Sequence, residues 1–328
     1  NNTALGYNAL LTNTTGAANV AVGANALDAN TTGGNNVAIG NAALTSSTTA
    51  LKNTAVGSGS QNSTTSGSEN TSLGYVALMV NTTGAQNTAL GAYALDANTT
   101  ASQNTAIGYA ALSLNTTGAA NVAVGANALG ANTTGAANTG LGIGTLAATT
   151  TGNHNTALGY NALNDATTAS DNVAVGHNSL GTNTTGTRNV AVGFNTLDAD
   201  TVSDSVAIGY NALTSTTGNQ NTACGSKALE DTTSGTTNVA VGALCLTDNI
   251  TGTSNTGVGY SCLRYGTAGN YNAGLGNRAL ENNTASNNTG IGYYALNANT
   301  TGTNNVALGG YALDANTTAS NNVAVGLG

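Results

Sequence analysis

Proline and tryptophan are absent from this 328-residue sequence, phenylalanine and methionine occur once each, and cysteine three times. Aromatic residues make up 4% and charged residues 5%. Alanine is the commonest residue in the 40% apolar content, so large side chains able to fill a thick globular core are scarce. Five basic residues stand against thirteen acidic ones with no run of either sign, which leaves nothing to neutralise a phosphate backbone or an anionic bilayer. Nucleic-acid and membrane partners are therefore not expected. No stretch of about 18 apolar residues occurs, which excludes a membrane-spanning helix. The motifs that carry chemistry are missing as well: there is no C-x-x-C, H-E-x-x-H, G-x-S-x-G, G-x-x-x-x-G-K-[ST] or G-G-x-G-x-D calcium loop. Catalysis needs convergent functional groups, so no enzyme, cofactor or metal site is expected.

What is present is glycine, 45 residues of it, and repetition. The stretch NTALGYNALLTNTTGAA at 2–18 is followed at once by NVAVGANALDANTTGGN at 19–35, with the same grammar. The glycine of an A-[LVI]-G motif sets a frame that runs from Gly6, Gly23 and Gly40 to Gly309 and Gly326. Of its nineteen intervals sixteen are 17 residues and three are 16, the short ones being Gly193–Gly209, Gly209–Gly225 and Gly276–Gly292. A fixed short period of this kind is the mark of a solenoid or array. The expectation is one repeat array over 1–328. It begins and stops within a repeat, at Asn1 and Gly328, as a piece of a longer fibre would.

Positions are counted from the frame glycine. Position −4 is Asn in every copy except Ser205, −3 is mainly Thr or Val, −2 is always small, and −1 is aliphatic apart from Cys224. Position +4 is Leu with Gln61 as the one exception, and +8 is Thr, broken only by Ile250. The N-[TV]-A-[LVI]-G stretch alternates with period two, as a β-strand does, and puts the β-branched and aliphatic residues on one face. The −1 aliphatic and the +4 leucine are read as the two large core residues of each repeat. Recurrent glycine suits a corner that needs positive φ or close backbone approach. A repeat this short cannot bury its own apolar face, but stacked repeats can. The fold expected is all-β, a parallel β-solenoid or β-roll of about nineteen coils, roughly 90 Å long at about 4.8 Å per coil. Asn19, Asn36, Asn53 and their successors then form an internal amide ladder. Alternation back from the +4 leucine would also turn position +2 inward, yet Lys227 and Arg278 stand there, so the chain bends at that point or the slot opens to solvent.

The motif NVAVGANAL at 19–27 resembles the head repeats of YadA-like trimeric autotransporter adhesins. The fuller unit NTALGYNALLTNTTG is similar to tandem repeats of bacterial and phage tail-fibre-domain proteins, although these repeats are longer than the usual adhesin head repeat. The resemblance implies a left-handed roll, a homotrimer, and an extracellular adhesive or fibrous role. Persistently small residues at −2 and +3 (Ala9, Ala26, Ala43, Ala77) fit either close packing of one chain's backbone on another or a narrow roll interior.

Candidate surfaces follow. Ten copies carry an N-x-[ST] sequon at +7: Asn13, Asn30, Asn81, Asn98, Asn115, Asn132, Asn183, Asn249, Asn299 and Asn316. These are acceptors in a glycosylating secretory pathway, or simply turn residues of the N-T-T-G loop. Position +1 carries Tyr7, Tyr75, Tyr109, Tyr160, Phe194, Tyr210, Tyr260 and Tyr293, a row that could stack on a cell-surface glycan or pack over the strand edge. The Asn/Thr loop array also resembles the hydroxyl-rich faces of ice-binding solenoids, although Val202, Gly218, Ala268 and Ala285 interrupt position +9. His154 and His177 occupy different columns and are read as surface variation. Cys245 and Cys262 replace the small +3 residue in consecutive coils, either as small hydrophobes or as a pair within disulfide reach. The function expected is a non-enzymatic extracellular structural or adhesive fibre whose partners are its own copies, as a homotrimer or a head-to-tail filament. The alternatives are an ice-binding solenoid or a glycosylated self-assembling filament.

Overall fold

A computed structural model describes residues 1–199 and 201–328. The protein is all-β, a parallel β-solenoid of about nineteen coils, and no helix among the described residues is long and apolar enough to cross a membrane. The backbone forms two compact units, Asn1–Ser170 and Asp171–Gly328. The first holds ten three-residue strands, β1 (Thr3–Leu5) to β10 (Thr156–Leu158). Each pairs in parallel with the next and in register, column on column: Thr3 lies beside Val20, Ala4 beside Ala21, Leu5 beside Val22. The second unit repeats the arrangement from β11 (Val173–Val175) to β20 (Val323–Val325).

Three-residue strands cannot supply enough backbone pairing alone, so the rest of the coil joins the ladder. The frame glycine donates its N–H to the −1 carbonyl of the coil before (Gly23 to Leu5, 2.8 Å), and the +2 residue donates to the preceding +1 carbonyl (Asn25 to Tyr7, 2.8 Å). The +4 leucine donates the other way, Leu27 to Ala43 at 2.9 Å. Backbone polar groups are thus satisfied coil to coil around most of the circuit, as burial demands.

The turns explain the composition. Positions +2, +4 and −5 lie in the left-handed region, shown by Asn25 (φ 55), Leu27 (φ 52) and Asn35 (φ 59). A left-handed non-glycine residue costs about 1–2 kcal/mol, and the coil accepts it because three such kinks return the chain in 17 residues. Lys227 (φ 60) and Arg278 (φ 55) sit at one of these kinks, so the chain bends there and alternation does not carry their side chains inward. The frame glycine is different. At Gly108, φ is 137 and a Cβ would lie 2.5 Å from the carbonyl oxygen of Gly125 in the next coil. No side chain fits between coils at that spacing.

The interior corrects one expectation. The core consists of the −2 alanine, the +3 alanine and the +4 leucine, with Ala21, Ala26 and Leu27 wholly buried. The −1 aliphatic is not a core residue. It points outward with −3, leaving Ile39 39% and Leu141 45% exposed, and Cys224 in the same column is only half-buried. The strand's alternation was real, but its inward face is the small one because the +4 leucine already fills the narrow interior. The one missing leucine, Gln61, is met by two further polar changes: its Nε2 donates to Ser72 Oγ at 2.8 Å, and Ser60 and Ser72 lie 2.5 Å apart.

The 16-residue coils keep strand register, Val190 facing Val206 and Val206 facing Thr222. Their shortening falls in the loop. Val202 and Ala285 supply the carbonyl that position +10 supplies elsewhere, accepting from Asn189 and Asn272 at 2.6 and 2.8 Å. In the coils that follow Gly209 and Gly276, Gly218 and Ala285 come directly after the +8 threonine, so position +9 is missing there.

A paired substitution tests the inside-out assignment. Leu163 is 0% exposed and Leu158 is 42% exposed. Leu163→Asp should abolish the cooperative melting transition by burying an unpaired charge, whereas Leu158→Asp, on the outward face, should leave the chain folding cooperatively, both read by circular-dichroism melting.

Candidate functional site

The expected amide ladder is present. Asn36 Nδ2 donates to the carbonyl of Ala50, 14 residues on, at 2.9 Å and so closes its coil. Its Oδ1 accepts the N–H of Asn53 in the next coil at 2.9 Å, and its own N–H reaches Asn19 Oδ1 at 3.0 Å. Each side chain here both closes a coil and couples it to the next.

The sequon column forms a second ladder. Asn98 Nδ2 donates to the Ala101 carbonyl and to Asn81 Oδ1, both at 3.0 Å, and Asn115 repeats this with Gly118 and Asn98. Asn30, Asn81, Asn98, Asn115, Asn132, Asn183, Asn249 and Asn299 are wholly buried, while Asn13 and Asn316 are half-buried. The nitrogen that would carry a glycan points into the coil and is hydrogen-bonded there, so a glycan on it would have to displace both the amide and the turn it holds. The geometry makes these asparagines turn residues.

Position +1 lies outside. Tyr7, Tyr75, Tyr109, Tyr160, Phe194, Tyr210, Tyr260 and Tyr293 are all exposed. Several meet one another. His177, Phe194 and Tyr210 stack in consecutive coils, with centroids 5.0 and 5.7 Å apart and planes within 4° and 12°. Tyr75 and Tyr109 are joined through Tyr93, a +2 residue, by edge contacts at 5.6 and 5.8 Å. Tyr293 and Tyr311 meet at 5.3 Å, with Tyr294 against both. Reading position +1 alone missed these +2 partners, which become neighbours only because the left-handed +2 residue turns outward. Rings that cover one another's faces offer mainly edges to a ligand.

Two hydroxyl columns border the loop. The +8 threonines hold their hydroxyls in place by donating to the +8 carbonyl of the next coil, as in Thr82 to Thr99 at 3.0 Å and Thr99 to Thr116 at 3.1 Å. Position +9 is exposed and, in the first unit, continuous: nine threonines and Ser66 occupy Thr15 to Thr168. All four interruptions belong to the second unit, and three of them, Val202, Gly218 and Ala285, come from the shortened coils.

Charges pair across coils. Arg188 forks onto Asp204 at 2.6 and 2.9 Å, which holds that carboxyl below its usual range, and Lys52 meets Glu69 at 3.3 Å. Burial pushes Asp96 and Asp248 upward. Among the described residues no group of three or more His, Cys, Asp or Glu is placed to hold a metal ion. A shallow depression lined by Asp198, Ala199, Thr214, Ser215, Thr216 and Thr217 lies beside the short coils. On the outward strand face the −3 and −1 residues of each unit form a stripe of Val, Thr, Leu and Ile, with Cys224 and Ala273 as the exceptions, flanked by the aromatic column. No protein-family model matches the chain, and no curated protein does.

The two amide ladders differ in tolerance. The +7 column already accepts Ser47, Thr64, Thr149 and Thr216, whereas each −4 side-chain oxygen accepts a buried backbone N–H of the next coil. Asn104→Ala would orphan the buried N–H of Asn121 and should cost about 1–3 kcal/mol. Asn115→Thr should cost less than about 1 kcal/mol. Urea unfolding of both variants checks the order.

Proposed function

We propose that the chain is a non-catalytic segment of an extracellular structural or adhesive fibre, built to associate with further copies of itself. The observation that carries this reading is the apolar strand stripe. A monomer rarely leaves a contiguous apolar surface bare, and here the same aliphatic position is exposed or half-buried coil after coil although the interior has no use for it. Copies packed side by side through these stripes would cover them, and the small strand residues behind would keep each chain thin at the contact. A trimer is the stoichiometry that the repeat resemblance implies. The surfaces left outside, the aromatic column and the hydroxyl loop, would then face any host glycan or other target. The interior amides are consumed in holding the coils together, which fits a scaffold rather than a reacting site.

The unbroken +9 column of the first unit favours a second reading, a hydroxyl array that organises water against ice. Its side chains are exposed, repeat at the coil spacing and stand beside the fixed +8 hydroxyls. This reading expects thermal hysteresis in a droplet freezing assay, lost in a Thr100→Lys, Thr117→Lys double variant. Hysteresis absent in the unaltered chain rejects it.

Light scattering after size exclusion tests the principal reading. The unaltered chain should run at about three times its 31.7 kDa mass, and the triple variant Ile39→Lys, Ile107→Lys, Leu141→Lys should run as a monomer with its β-sheet circular dichroism retained. A monomeric unaltered chain would overturn the association.

A further inference from the structure

Cys245 and Cys262 occupy the +3 position of consecutive coils, and both side chains are wholly buried. The coils are in register at this point, since the N–H of Leu246 donates to the carbonyl of Cys262 at 2.9 Å. Neighbouring positions in a parallel ladder lie about 4.8 Å apart, inside the range of about 4.4–6.8 Å over which two α-carbons can be bridged by a disulfide. The neighbouring Cys262 side chain, together with burial, pushes the Cys245 thiol well above the usual cysteine range.

A second change accompanies the cysteines. The −2 column is alanine in most coils, but glycine stands opposite each of these sulfurs. A Cβ at Gly257 would come within 2.6 Å of Cys245 Sγ, and one at Gly274 within 2.5 Å of Cys262 Sγ. The interior is widened opposite both sulfurs, as it is at Gly140 opposite the Thr145 hydroxyl. Cys224, in contrast, sits in the outward −1 column and has no part in this cluster.

We propose that Cys245 and Cys262 are a cross-linking site, joined by a disulfide between consecutive coils when the chain folds in the presence of a small-molecule disulfide oxidant. One cysteine thiolate attacks the oxidant, forming a mixed disulfide and releasing one oxidant thiol. The second cysteine then attacks the protein sulfur of that mixed disulfide, forming the Cys245–Cys262 bond and releasing the other oxidant thiol. Two protein S–H bonds are lost, one protein S–S bond is gained, and the oxidant takes up both electrons and both protons. The reaction belongs to the folding chain, because in the closed coil the thiols are out of reach of the oxidant and the thiolate is disfavoured. Once formed, the bond closes a 17-residue loop, one full coil, and burial shields it from reductants.

The test uses the whole chain, unfolded in denaturant and refolded in a reduced and oxidised glutathione buffer. It is then denatured again in iodoacetamide and weighed intact. One alkylated thiol, that of Cys224, is expected. Cleavage before Asp248 by an aspartate-specific protease should give two peptides that remain joined until reduced. Cys245→Ala restores the usual residue of its column and so should fold, with two alkylated thiols and no joined peptides. Three alkylated thiols in the refolded unaltered chain, or peptides joined through Cys224, would overturn the proposal. The outcome does not depend on whether the chain associates with its copies.

Discussion

Everything in this solenoid depends on the vertical spacing between coils. Parallel pairing holds successive backbones about 4.8 Å apart, and at the frame glycine that spacing leaves the carbonyl of one coil against the α-carbon of the coil before. Any side chain there would force the coils apart and break the ladder on both sides. The glycine column is thus a steric consequence of stacking, and it sets the register in which every other column lines up. The 16-residue coils follow the same priority, giving up a loop residue while their strands stay aligned.

Register turns single residues into columns, and columns into interactions that no single repeat possesses. An isolated asparagine amide would be costly to bury. Stacked at −4, each amide is bonded within its own coil and to its neighbours, and the polar interior becomes a source of cohesion. The same logic appears as compensated variation. Gln61 is accommodated together with Ser60 and Ser72, and the buried cysteines together with Gly257 and Gly274. A change at one level is tolerated when the facing column changes with it, because an interior this narrow has no free volume to share with distant positions.

The outside is less constrained and carries what can vary. Aromatic rings, ion pairs and hydroxyls run in columns over the surface, while the aliphatic stripe on the strands stands out as apolar area with no interior partner. In the proposed fibre, association through that stripe and presentation of the remaining columns would be two aspects of one arrangement. The fibre reading rests on the first and leaves the target to the second.

The periodicity, the parallel β class, the coil length, the glycine corner and the −4 amide ladder were all legible in the sequence, because stacking copies each local requirement into a column that can be read. What the columns could not show was direction. Alternation within a three-residue strand says that −1 and −2 face opposite ways but not which way is in, and hydrophobicity pointed to the wrong one. The left-handed turns at +2 and +4 decide that the leucine fills the coil and the strand aliphatic faces outward; at +4 they fall on leucine, which has no intrinsic preference for that conformation, and at +2 on a mixed column in which only the Asn and Gly copies favour it. Only the stacked structure, by bonding their backbones to the neighbouring coils, holds them there. The burial of the sequon asparagines and the outward +2 tyrosines follow from the same turns, and for that reason the surface, unlike the fold, was decided by the tertiary structure.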